Sequence, residues 1–144
     1  MKPLIATLAT LVLAAGTAAA ESVPDLKGVW TGPFRTLIYG HNDHHPGDQG
    51  ADAPPRIRDI IFSVEVVGQD GRLLWGTSWS DPAKKEPFAG TLSMDGKTII
   101  GADTDGSLVM NILGPDSVEV CYTQTAATPS QAIIASCGVT ERQK

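Results

Sequence analysis

From Lys27 to Arg142 the chain reads as eight strand-length runs in succession, and no stretch competes with them for a helix. Nearly all are joined by tight turns, three of which contain Asp-Gly: Asp70-Gly71, Asp95-Gly96 and Asp105-Gly106. Asp-Gly suits hairpins because glycine, and tolerably aspartate, adopts the positive φ that a right-twisted two-residue turn demands. The expected result is a meander. Eight meandering strands close most naturally into an all-β, antiparallel, up-and-down barrel, which removes exposed edges and leaves an interior that is either packed or holds one small ligand. The runs fall at 27–39, 57–67, 72–80, 87–94, 97–103, 107–113, 117–124 and 131–141.

Alternation assigns the faces. Ile60, Phe62, Val64 and Val66 share one face of the second run, and Leu73, Trp75, Thr77 and Trp79 share one face of the third. A turn at Asp70-Gly71 makes these faces coincide, with Val66 opposite Trp75 and Phe62 opposite Trp79. The turn at Asp95-Gly96 sets Leu92 opposite Ile99 and Gly90 opposite Gly101, a glycine pair that reads as a corner where the barrel curls.

Residues 1–20 stand apart from this pattern. Met1-Lys2 is a short basic start, Leu4 to Ala15 is apolar and uncharged, and Ala18-Ala19-Ala20 supplies the small residues of a cleavage site before Glu21. The expectation is a signal peptide and a single mature domain over 21–144, exported to the periplasm or secreted. No later stretch has the roughly 20 apolar residues of a membrane helix, so no membrane insertion is expected after cleavage. Without Lys2 the chain has ten basic against sixteen acidic residues, a formal net charge of −6, which argues against nucleic acid or an anionic membrane as partner. In an oxidising compartment the two cysteines, Cys121 and Cys137, are expected to pair. They lie symmetrically about Pro129, so a register pairing 121 with 137 sets them directly opposite. Such a disulfide contributes about 3 kcal/mol for a loop of this length.

The first run opens with Leu26-Lys27-Gly28-Val29-Trp30-Thr31-Gly32. This G-x-W element resembles the opening of the lipocalin-like and avidin-like barrels, the calycin group. That group places an Arg or Lys near the end of the last strand across the tryptophan, and Arg142 in Val139-Thr140-Glu141-Arg142 stands in the matching place. The resemblance implies an eight-stranded binding barrel in which Trp30 and Arg142 are structural. A cation on an indole face gains cation–π energy while its stem covers apolar surface.

One connection is long. Residues 40–56, GHNDHHPGDQGADAPPR, lack periodicity and are expected to form a loop at the barrel mouth. The loop contains His41, His44 and His45, which as imidazole donors could take a divalent metal, although a solvated loop is the simpler reading. No other cofactor is implied. A ligand pocket near this loop is expected to draw on Trp79, Trp75, Tyr39, Phe62 and Asn111. Asp103-Thr104-Asp105-Gly106-Ser107 has the look of a calcium loop but lacks the downstream bidentate Glu, and a hairpin turn explains it better. No nucleophile elbow, zinc-protease helix or phosphate-cradling loop is present, so no enzymatic activity is expected. The favoured reading is an exported barrel that binds a small hydrophobic or aromatic molecule. The alternatives are a periplasmic inhibitor that inserts residues 21–25 or the His-rich loop into a secreted hydrolase, and metal capture by that loop.

Overall fold

Alternating runs of this length bury one face of each strand only if the sheet wraps around that face, and the chain does so completely. The computed structural model describes residues 23–40, 54–125 and 132–144. The strands are β1 (Gly28–Tyr39), β2 (Arg56–Asp70), β3 (Leu73–Trp79), β4 (Glu86–Leu92), β5 (Thr98–Ala102), β6 (Gly106–Gly114), β7 (Ser117–Gln124) and β8 (Ile133–Arg142). Each pairs antiparallel with its neighbours in sequence, and β1 returns to pair with β8, giving a closed barrel. Among the described residues there is no helix. Residues 1–20, expected to be a signal peptide, and the three histidines, His41, His44 and His45, lie outside the described residues.

The inward side chains make one contiguous core. It includes Trp30, Phe34, Phe62, Val64, Leu74, Phe88, Leu92, Ile99, Leu108, Met110, Val118 and Val120. Burying each large side chain stabilises the fold by about 1.5–3 kcal/mol relative to exposure. Leu92 faces Ile99 and Gly90 faces Gly101, as the Asp95-Gly96 turn requires. Gly96 takes the expected positive φ, at 70°. The glycine pair does more than bend the sheet, since a Cβ on Gly101 would stand 2.4 Å from the ring of Phe88. The missing side chain is the space that ring fills.

The β2–β3 hairpin departs from the expected register. Asp70 pairs with Leu73, so the turn residues are Gly71 and Arg72, and a bulge at Val67 then shifts the ladder between Val66 and Gly68. Val66 therefore faces Gly76 rather than Trp75, and Trp79 faces Ser63 rather than Phe62. An extra residue on one strand reverses which face its later residues occupy. The inward residues of β3 are Leu74, Gly76 and Ser78. Leu73 and Trp75 are 59% and 48% exposed on the outer face, which corrects the expectation that the Trp75 and Trp79 face lines the interior. The indole of Trp75 instead lies against Gly68, where a Cβ would come 2.1 Å from the ring.

The third Asp-Gly also acts differently from its expectation. Asp103 N donates to Gly106 O at 3.2 Å, closing a turn whose tip is Thr104-Asp105. Gly106 is already the first residue of β6 and has no positive φ. The reason for glycine there is Tyr122, whose hydroxyl would lie 2.2 Å from a Cβ.

Cys121 and Cys137 sit directly opposite on β7 and β8 and are bonded to each other, an arrangement compatible with an oxidising compartment. At the base of the barrel the segment before β1 crosses the opening. Leu26 is buried, and Trp30 Nε1 donates to Leu26 O at 2.9 Å. The Arg142 guanidinium lies 4.3 Å from the Trp30 ring centroid. Its Nη1 donates to Lys27 O at 2.6 Å, and its Nη2 to Asp25 O at 2.8 Å and to Pro115 O at 3.2 Å. Asp116 Oδ1 is 3.1 Å from Nε but off the N–H axis, so it acts as a charge contact and not as a hydrogen-bond acceptor.

Candidate functional site

At the end opposite Arg142 the inner lining changes from apolar to polar. Thr36, Ser78, Gln124 and Ser136 are buried there. Glu86 stands in phase with Phe88 and Leu92 along β4, and Asp103 follows Ile99 and Gly101 in the same sense past the end of β5. Strand alternation therefore turns both carboxylates inward at the mouth. Asp105 joins them from the tip of the β5–β6 turn.

The carboxylates are held from several strands. Ser78 Oγ on β3 donates to Asp103 Oδ2 at 2.9 Å, and Gly106 N donates to Asp103 Oδ1 at 2.8 Å. Tyr122 OH on β7 donates to Asp105 Oδ1 at 2.7 Å, and Gln124 Nε2 donates to Asp105 Oδ2 at 2.9 Å. Thr104 Oγ1 donates to Glu86 Oε1. Glu86, Asp103 and Asp105 each bring a carboxylate oxygen within 4.8 Å of the other two. Among the described residues the donors to Asp103 and Asp105 are neutral, so they fix the orientation of the two carboxylates without cancelling their charge. Burial, then the negative charge of Asp103 and the hydrogen bond to Asp105, push the Tyr122 phenol well above the ordinary tyrosine range. Tyr122 stays protonated and stays a donor.

Opposite this wall stand Ile60, Phe62 and Ile134. Phe62 packs on Phe34 with centroids 5.1 Å apart and on Tyr122 at 5.9 Å, so the apolar wall is continuous with the core. The cleft between the walls holds a free volume of about 30 Å³, above the roughly 10–15 Å³ that a single water needs. It admits a head group and leaves no room to bury a whole drug-sized molecule. A roomier cavity of about 330 Å³ lies at the base, between Leu26, Leu92, Ile112, Arg72 and Lys97. Its acidic groups are already engaged in building the chain around them: Asp95 accepts from Ser93 Oγ at 2.5 Å and from Lys97 N at 3.1 Å, contacts that hold its carboxyl below the usual range. Asp25 likewise accepts from Lys27 N.

Of the five residues expected to face a ligand, Phe62 and Trp79 border the mouth cleft. Trp79 lies at its edge, with Lys85 Nζ 3.9 Å from its ring centroid, and Lys85 also pairs with Glu65 at 3.4 Å. The other three are elsewhere. Trp75 is on the outer face as described, and Tyr39, 47% exposed, pairs with Ile133 outside the barrel. Asn111 bridges Thr98 and Glu119, also on the outer face. Glu86, Tyr122 and Gln124 were missed by sequence reasoning, and Asp103 and Asp105, noted for their calcium-loop look, were set aside as a hairpin turn. Counting alternation outward from Phe88 and from Ile99 would have placed Glu86 and Asp103.

No protein-family model matches the chain, and no curated protein matches it.

Proposed function

We propose that this is an exported, calycin-like binding barrel that takes a small ligand at its mouth, one with an apolar or aromatic body and a cationic head. The carrying observation is the pair of carboxylates of Asp103 and Asp105, oriented by neutral donors and set across a narrow cleft from Ile60, Phe62 and Ile134. Carboxylate oxygens within 4.8 Å of one another repel by at least roughly 3 kcal/mol at an effective dielectric of about 20. A cation seated between them converts that repulsion into attraction. The small free volume leaves the cleft to the head group, while the ligand body rests on the part-exposed Ile60 and Trp79 at its rim. The G-x-W opening at Gly28 and Trp30, the Arg142 partner and the signal-like leader support the calycin-like and exported parts of the reading.

Calorimetry with benzylammonium, benzyl alcohol and benzoate tests it. Benzylammonium should bind, benzyl alcohol more weakly and benzoate not at all, and Asp105→Asn should weaken benzylammonium binding at least tenfold. Equal heats from the three compounds, or no heat from the ammonium, would refute the proposal. N-terminal sequencing of the exported protein should begin at Glu21.

A further inference from the structure

The mouth carries a cation on the side away from its carboxylates. Ile60 and Phe62 line the cleft from β2, and the next residue on their face of the strand, toward the rim, is Arg58. Its lateral partner on β1 is Thr36, which is buried and lines the same cleft. Paired residues on neighbouring strands point to the same face of the sheet, so the Arg58 side chain leaves its strand on the cleft side. At a strand rise of about 3.4 Å per residue, Arg58 stands about 7 Å beyond Ile60, where it is exposed. The other charged groups of this rim are engaged. Lys85 pairs with Glu65 and lies over the Trp79 ring, the Asp81 carboxylate accepts from Ala83 N, and Arg56 Nη1 donates to Gly40 O. Lys84 has a partner as well, and Asp59 is on the outward face of β2 beside Arg35. Among the described residues Arg58 joins no ion pair.

We infer that the ligand of this mouth is a zwitterion with well-separated charges, an ω-amino acid whose ammonium sits between Asp103 and Asp105 and whose carboxylate reaches Arg58. The inference rests on the cleft reading proposed above and adds to it the far end of the ligand, with Arg58 as the residue that selects it. A guanidinium is a planar fork of donors that matches a carboxylate bidentately. Along the Ile60 wall the sign of the charge passes from negative in the cleft to positive at the rim. A ligand with an ammonium at one end and a carboxylate at the other aligns with that gradient. The length of the wall sets the spacing of the charges. A phenyl ring, or a chain of similar length, spans it. An α-amino acid, with both charges on one carbon, would carry its carboxylate into the cleft beside Asp103 and Asp105 and be repelled.

Calorimetry with 4-(aminomethyl)benzoate and its methyl ester tests this, because the two share the ammonium and the ring and differ in the far charge. An exposed ion pair of good geometry is worth up to about fivefold in affinity, so the wild-type protein should bind the acid about three- to fivefold tighter than the ester. Added sodium chloride should shrink that preference. Arg58→Gln should bring acid and ester to the same affinity while leaving the ester within about twofold of its wild-type value, and Lys85→Gln should leave the preference in place. Phenylglycine should bind more weakly than benzylammonium. Circular dichroism checks that each variant is folded. If the ester binds and the acid binds no tighter, the cleft reading stands and this inference falls. A preference for the acid that survives Arg58→Gln overturns it equally. If neither compound nor benzylammonium binds, the cleft reading fails and takes the inference with it.

Discussion

Removing the cation at Arg142 should weaken the fold by an amount that the contacts at the barrel base allow to be estimated. The guanidinium lies over Trp30, which is only 1% exposed, and donates to three backbone carbonyls from two different segments. A largely desolvated cation–π contact is worth about 1–2 kcal/mol. A charge-assisted hydrogen bond adds about 1.5–3 kcal/mol where the acceptor stays dry, and much less here because the carbonyls of Asp25, Lys27 and Pro115 can regain water. The sum for Arg142→Met, which keeps an apolar stem over the indole, is about 2–3 kcal/mol. Arg142→Ala also uncovers the ring and should cost roughly 1 kcal/mol more. Arg142→Lys keeps the charge but loses the planar fork and should fall about midway. For a domain of this size each kcal/mol corresponds to roughly 3–5 °C, so Arg142→Met should melt about 10 °C lower. Urea unfolding followed by tryptophan emission measures all three variants. A cost for Arg142→Met below about 0.5 kcal/mol would show that neither the ring contact nor the carbonyl bonds hold the base closed.

Reducing the Cys121–Cys137 bond, or replacing both residues by serine, should lower stability by about 3 kcal/mol, read as a shift of the urea midpoint with and without reductant. Gly101→Ala should destabilise by about 1–3 kcal/mol, because its Cβ would meet both the Phe88 ring and Ala89 O at 3.0 Å, and calorimetry would detect it. Tyr122 gives a pH signature. Its phenol keeps its proton in the native state at pH values where the unfolded chain loses it near 10, so the native state binds more protons and stability falls as pH rises above about 10. That added decline, at most about 1.4 kcal/mol per pH unit, should vanish in Tyr122→Phe.

The barrel was legible because its signals repeat. Strand-length alternation, short turns and the symmetry of Cys121 and Cys137 about Pro129 all bear on the same meander, and one misread turn leaves the rest intact. The face of β3 was not legible. Leu73, Leu74 and Trp75 are three large apolar residues in a row, so alternation gives no vote, and the bulge at Val67 that decides between them is announced in β2 only by Gly68, a strand glycine that could equally mark a close approach. The mouth was half legible. Phe62 could be placed from the β2 pattern, whereas Asp103 and Asp105 looked like turn residues and are so, with the β6–β7 pairing bringing Tyr122 and Gln124 to Asp105 from seventeen and nineteen positions further on, and Ser78 reaching Asp103 from β3. Those partners follow from strand pairing and not from the turn sequence.

The disulfide joins two strands that are already adjacent in the chain, and the junction between β1 and β8 has no covalent tie. The covalent staple thus stands beside the seam that zips the cylinder shut, not across it. Unzipping there would release two raw strand edges with the staple still intact, each able to accept the matching edge of another molecule. Strand exchange between copies is then the characteristic way for this fold to fail, and strengthening the disulfide would do nothing to prevent it.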